Sequence, residues 1–411
     1  MQYSKNLHST LIVLISVFLT SCGGTPSPAS QINTAVPNAA MPTAALCVTV
    51  ASKPTPGPDT PSIFPPIVET DHRRGIDDAL ITIMDYSDYQ DPRSAALAEV
   101  TKRLLEENPN NIRLVSRPFP VHVVNDKAAY AALAAEAAAE QDKFWEMHDL
   151  LFEQQANWIN LSVDDFKHWL TMKAADLELD GAQFKSDYAR EDIIAKVQKA
   201  WEDGTKINLP GTPVVILNGE LYQGPRDYTS LNDIIQLIIM GERQFSMCPP
   251  ITVDTKKQYL ATLKTEKGDV VLQLFPDKAP VTVNSFVFLA RNGWYDNITF
   301  HRVIPDLFAQ TGDPSGSGKG TPGYYVITEI TPELTFSRPG MVAMVNSGPD
   351  TSGSQFFITY APTAQYDGSY TIFGQVLSGM DVLQSLTERN AQPGAETPPG
   401  DRLISVTIEV K

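Results

Sequence analysis

Arg302 is the residue around which chemistry can be built. It stands in Phe300-His301-Arg302-Val303-Ile304-Pro305, and amides and aromatic rings recur after it. Gln310 lies in Phe308-Ala309-Gln310-Thr311-Gly312-Asp313, and Asn346 in Met344-Val345-Asn346-Ser347-Gly348-Pro349. Gln355 and Phe357 lie in Gly353-Ser354-Gln355-Phe356-Phe357-Ile358, and Tyr370 in Asp367-Gly368-Ser369-Tyr370-Thr371-Ile372-Phe373-Gly374. A guanidinium is always charged and presents a rigid fork of donors. Among apolar side chains it can grip a carbonyl and meet charge as it develops, an electrostatic device with no covalent step. Metal chemistry finds no such support. The six histidines are scattered without ligand spacing, and the three cysteines, Cys22, Cys47 and Cys248, form no C-x-x-C. Blander readings stand beside each residue. An arginine near aromatics is commonly a surface cation–π pair. Phe356 and Phe357 alternate on a strand, so one must face a core. His301 reads as a support for the backbone.

Taken together, the five segments resemble the cyclophilin family of peptidyl-prolyl isomerases, over residues 259–411. The resemblance implies a reaction, rotation about an X-Pro bond, whose partial double-bond character sets a barrier of roughly 18–20 kcal/mol. It needs a dry pocket for the ring and a donor near the carbonyl and the prolyl nitrogen, and no cofactor or metal. The resemblance makes Arg302 the catalytic arginine. Leu307, Phe308, Phe357 and Tyr366 line the proline pocket, with Tyr370 closing its edge. Gln310 orients Arg302, Asn346 binds substrate backbone, and Gln355 supports the same groove. Several positions depart from familiar members: Leu307, Phe308, Val345, Tyr366, Tyr370, and Gln365 where a tryptophan favours cyclosporin. Retained activity on proline-containing peptides and weak cyclosporin binding are expected, with Val345 able to narrow the groove. An inactive binder of the same fold is the alternative.

The elements that must position these residues are short. Residues 259–265 and 270–275 alternate as a hairpin around 266–269. Pro280 opens a helix through Arg291, with Val283, Phe286, Val287 and Ala290 at helical spacing and Gly293 as its stop. A late helix near 379–386 precedes a closing strand over 403–410. Many strands with two helices indicate a closed β-barrel with capping helices, the choice over a sandwich resting on the resemblance.

Residues 71–246 form a second unit, before a linker at 247–258. A buried strand over 79–86 leads through a turn to a helix ending near 107, then a strand over 111–119. An Ala-rich helix spans 128–155, and helices continue to 203. A proline-opened strand lies within 211–219, and a helix covers 228–243. This order resembles the DsbA-like thioredoxin family: an α/β fold with a helical insertion. In that family the first turn carries Cys-x-x-Cys; here those positions are Asp91 and Ser94. A disulfide exchange requires thiols, so a binding or scaffold role is expected, and Pro213 is expected cis. Asp91 and Arg93 read as a solvated i, i+2 pair, and His148 and His168 as packing or capping residues.

At 411 residues with 42% apolar content, two or three globular domains are expected. The net charge of −16 argues against nucleic acid or anionic lipid as a surface partner. Residues 1–21 have signal-peptide proportions. Leu19-Thr20-Ser21-Cys22-Gly23 resembles the bacterial lipobox, which implies lipidation of Cys22 and anchoring outside the cytoplasm. Residues 22–70, rich in Pro, Thr, Ser and Ala, read as a disordered tether. In an oxidising compartment Cys47 and Cys248 are expected to pair, the alternative being two free thiols. The whole reads as a multidomain, membrane-tethered isomerase acting on unfolded exported proteins; the competing reading is a catalytically weak client-binding scaffold. Oligomeric state is not legible.

Overall fold

The computed structural model describes residues 46–50, 62, 64–390 and 398–411. The expected signal peptide, Cys22 and most of the tether lie outside them. The first elements are β1 (Cys47–Thr49), β2 (His72–Gly75), β3 (Ile81–Ser87), α1 (Pro92–Glu107) and β4 (Ile112–Pro118). Six helices follow: α2 (Ala128–Ala139), α3 (Phe144–Glu153), α4 (Gln155–Trp158), α5 (Val163–Asp176), α6 (Gly181–Tyr188) and α7 (Glu191–Lys206). Then come β5 (Val214–Leu217), β6 (Glu220–Leu221) and α8 (Tyr228–Gly241). Strands β2 to β6 form one sheet in the order β2-β4-β3-β5-β6, with β3 and β4 parallel and β3 and β5 antiparallel. Helices α1 and α8 supply Leu97, Leu104, Leu231 and Ile235 to the core on one face of the sheet. Met84 and Tyr86 pack on the other face with Phe64, Val115 and Phe119, and this double coverage buries β3 along nearly its whole length.

The six helices are inserted between β4 and β5 and have their own core. Nine of the twelve residues of α2 are buried, a packing that its alanines permit because they leave room for helices on every side. The sequence predicts one helix over 128–155; the chain breaks it after α2. Asp142 takes a left-handed conformation (φ 58°), and the amides of Asp142 and Lys143 cap Ala139 and Ala138. Helix α3 then starts in a new direction.

The second half contains β7 (Tyr259–Thr265), β8 (Gly268–Leu274), α9 (Pro280–Arg291), β9 (Ile298–Thr299), β10 (Arg302–Ile304) and β11 (Phe308–Thr311). It continues with β12 (Tyr324–Val326), β13 (Met341–Met344), β14 (Phe356–Thr359), β15 (Ile372–Ser378), α10 (Met380–Gln384) and β16 (Arg402–Val410). Nine strands form an antiparallel sheet in the order β10-β11-β14-β13-β15-β8-β7-β16-β9. Helix α9 packs Val283, Phe286 and Val287 into the concave core. The expected closed barrel is not what hydrogen bonding gives: no pairing among the described residues joins the end strands β9 and β10. Each of these strands is too short, two and three residues, to offer a full ladder.

The expected tether is also corrected. Its residues 47–49 form β1, which pairs antiparallel with β12. Cys47 is bonded to Cys248, 201 positions away, as expected; Phe64, also within the expected tether, is buried against Met84, Tyr86 and Val214 in the first domain. Average composition concealed these few apolar residues, which find partners far along the chain.

Candidate active site

Strand register builds the site. Arg302 faces Gln310, Gln310 faces Phe357, Phe357 faces Ala343, and Ala343 faces Ile372. Residues opposite one another share a face of a sheet, so these five side chains form one row across five strands. The alternate row, Val303, Ala309, Ile358 and Val342, points into the concave core. The period of two thus turns the Arg302 row outward onto a second, smaller apolar cluster.

Phe357 is the centre of that cluster. Its ring lies 5.6 Å from Phe308, 5.8 Å from Phe336, 5.8 Å from Tyr366 and 5.3 Å from Tyr370. Phe357 and Phe308 are nearly buried, whereas Leu307, Val345, Tyr366 and Tyr370 are half-buried and form the rim. Arg302 is exposed, and its Cζ stands 5.1 Å from the centre of the Phe308 ring. An apolar basin with a guanidinium at its edge suits a ring whose adjoining carbonyl needs a donor. Gln365 is exposed beside Tyr366.

The amides tie the rim together. The Gln310 side chain donates to Gln355 Oε1 at 2.9 Å. It sits opposite Arg302, but its amide serves Gln355, which differs from the expectation that it orients the arginine. Gln355 Nε2 donates to the carbonyls of Gly318 and Gly320. Asn346 Nδ2 donates to Ser369 O at 2.9 Å, and its oxygen accepts from Gly348 N. Asn346 therefore joins its own loop to the loop that carries Tyr370. His301 is buried beneath the row; burial pushes its imidazole down to about 4, against the pull of Asp313.

Phe336, at the base of the cluster, was not among the residues expected. It is fully buried, with its amide donating to Asp367 Oδ1 at 2.7 Å. The signal available was an isolated aromatic in a polar stretch before Pro339-Gly340.

In the first domain, Thr212–Pro213 is cis. Thr212 Oγ1 donates to Asp91 Oδ2 at 2.7 Å, bringing the cis bond against the start of α1. The solvated pair is corrected: Asp91 is buried and is the N-cap of α1, accepting from Arg93 N, while Arg93 is exposed and donates to it from outside. Ser94 is fully buried, its hydroxyl accepting from Asp88 N. The turn contains no thiol. His148 packs among Tyr89, Trp145 and Phe152 and contacts Asp149, whereas His168 is exposed on α5 rather than packed.

With this geometry in view, the model of the cyclophilin type peptidyl-prolyl cis-trans isomerases matches residues 260–408, and a thioredoxin model matches residues 68–237. The chain belongs to the cyclophilin-type peptidyl-prolyl isomerases and carries a thioredoxin-like domain before the isomerase domain. It is similar to peptidyl-prolyl cis-trans isomerase B of Streptomyces anulatus, 42% identical over 38% of this chain and 99% of the relative. It is also similar to peptidyl-prolyl cis-trans isomerase-like 1 of Mus musculus, 43% identical over 35% of this chain and 88% of the relative. A Cryptosporidium parvum cyclophilin-type isomerase, crystallised in the presence of the dipeptide Ala-Pro, is 32% identical over 36% of this chain and 98% of that one, with a TM-score of 0.34. The protein is a peptidyl-prolyl cis–trans isomerase.

Proposed function

We propose that the chain is a membrane-tethered isomerase outside the cytoplasm, acting on proline-containing segments of exported proteins. The observation that carries this reading is the outward row of Arg302, Gln310 and Phe357 above an aromatic basin. In this reading the substrate ring enters between Phe308, Phe357 and Tyr370. Arg302 donates to the proline carbonyl and reaches the prolyl nitrogen as its lone pair leaves resonance. Leu307, Tyr366 and Val345 shape the rim, Asn346 holds the substrate backbone, and Gln355 supports the same groove. The amides of Gln310, Gln355 and Asn346 are held by hydrogen bonds before the bond turns, so that part of the rim needs no reorganisation.

Cys22 in Leu19-Thr20-Ser21-Cys22-Gly23 supports the tether, and the Cys47–Cys248 bond supports an oxidising compartment. The thioredoxin-like domain, with Asp91 and Ser94 where thiols would be needed, serves binding or scaffolding in place of disulfide exchange. The test is a protease-coupled isomerisation assay. Arg302→Ala is expected to lower kcat by about 10²–10³-fold, with peptide binding retained. Unchanged turnover in that variant would make the protein a client-binding scaffold instead. Labelling of cells with a radioactive fatty acid should mark the wild type and not Cys22→Ser.

A further inference from the structure

Gln355 is the end of a contact chain that leaves the isomerase domain. Its amide donates to Gly318 O at 3.0 Å and Gly320 O at 3.1 Å, and its oxygen accepts from Gln310. The loop from Gly312 to Gly323 therefore decides where this side chain points. From within, the buried Asp313 carboxylate holds the loop, accepting from Ser315 N, Ser315 Oγ and Gly320 N.

From outside, the loop is held by residues of the thioredoxin-like domain and the chain just after it. Gln244 Nε2 donates to Thr321 O at 3.0 Å, and Phe245 N to Pro322 O at 2.9 Å. Lys319 pairs with Asp233 of α8 at 3.3 Å. A Cβ on Gly320 would fall 2.0 Å from Asp313 Oδ1 and 2.6 Å from Met240 Sδ. Gly320 is thus wedged between a carboxylate of its own domain and a methionine of α8. On the far side Val50 N donates to Gly323 O at 2.9 Å, and β1 is bonded through Cys47 to Cys248. Phe245 is seated among Phe288, Trp294 and Tyr324 of the isomerase core.

We infer that Met240, Gln244 and Phe245, with β1 fastened beside them, are positioning residues of the isomerase groove: they set the loop whose carbonyls orient Gln355. The thioredoxin-like domain then contributes to substrate affinity without touching substrate. This rests on the reading of Gln355 as a groove residue. Small misplacements of a positioning group are costly, and Met240 Sδ packs against Gly320 together with Asp313.

The experiment measures KM and kcat of the full chain on a proline tetrapeptide by exchange NMR at several peptide concentrations. It compares Met240→Ala, Gln244→Ala, Gln355→Ala and the Met240→Ala/Gln355→Ala pair, with folded fraction followed by circular dichroism. Met240→Ala and Gln355→Ala are each expected to raise KM by about 3- to 10-fold with kcat within about 2-fold. Gln244→Ala, a milder change at the helix end, should raise it about 2-fold. The double variant should be no worse than Gln355→Ala alone, since both changes act through one contact. Wild-type KM in Met240→Ala beside a raised KM in Gln355→Ala overturns the inference. So do multiplying effects, or a fall in kcat that only follows lost folded protein. A wild-type KM in Gln355→Ala overturns the groove reading itself.

Discussion

His301 and Arg302 are neighbours with opposite fates. Strand alternation puts Arg302 in solvent and His301 in the interior, where burial holds the imidazole neutral down to about 4. An unfolded histidine titrates near 6.5, so between these values the unfolded chain binds the extra proton. Stability therefore rises with pH through this window and is lost as pH falls from 6.5 towards 4, by up to about 3 kcal/mol. Urea midpoints across that range should show the slope, and His301→Gln should flatten it. Phe357→Ala, which opens the basin beneath the row, should cost about 3–5 kcal/mol of stability and abolish peptide binding measured by titration. The sequence made Arg302, Phe357 and the rim residues legible because their identities and order carry a family resemblance. The bond between Gln310 and Gln355 was not legible: it spans 45 positions and depends on which residues strand pairing sets side by side. Asp91 was misread as solvated for a similar reason, since Thr212, which meets its buried face, lies 121 positions on.

At the scale of elements, local signals succeeded where the stop or start was itself local. Pro280 opens α9 and Arg291 closes it, as its proline and Gly293 foretold. They failed where a partner was remote. β1 comprises three residues inside a stretch whose average is rich in Pro, Thr, Ser and Ala, and it pairs with the edge of β12. The break between α2 and α3 hangs on one left-handed aspartate inside an otherwise helical composition. Among the described residues the end strands β9 and β10, two and three residues long, do not pair with each other, where resemblance implied a closed barrel. The loop between β11 and β12 offers a direct check on packing. Gly320→Ala has no space for its methyl group beside Asp313 and Met240, and should destabilise by about 1–3 kcal/mol, seen as a lowered thermal midpoint.

For the whole molecule, the two domains share one compact unit of the chain, joined where Met240 and Phe245 enter the isomerase core. That a thioredoxin-like domain precedes an isomerase domain could be read from sequence; their contact could not, because Phe245, at the end of residues 71–246, meets partners 43 to 79 positions further along the chain. The Cys47–Cys248 bond closes a ring of 201 positions around the thioredoxin-like domain. Replacing both cysteines by serine should lower unfolding free energy by about 2–5 kcal/mol, measured by guanidinium titration without reductant.

The same ring sets a path for mechanical load. A pull on the chain ahead of Cys47 passes through the sulfur bridge to Cys248 and directly into the isomerase domain. The residues between the two cysteines lie off that covalent line. Tension at the N-terminal side would reach the folded isomerase without stretching the thioredoxin-like domain, for as long as the bridge is oxidised.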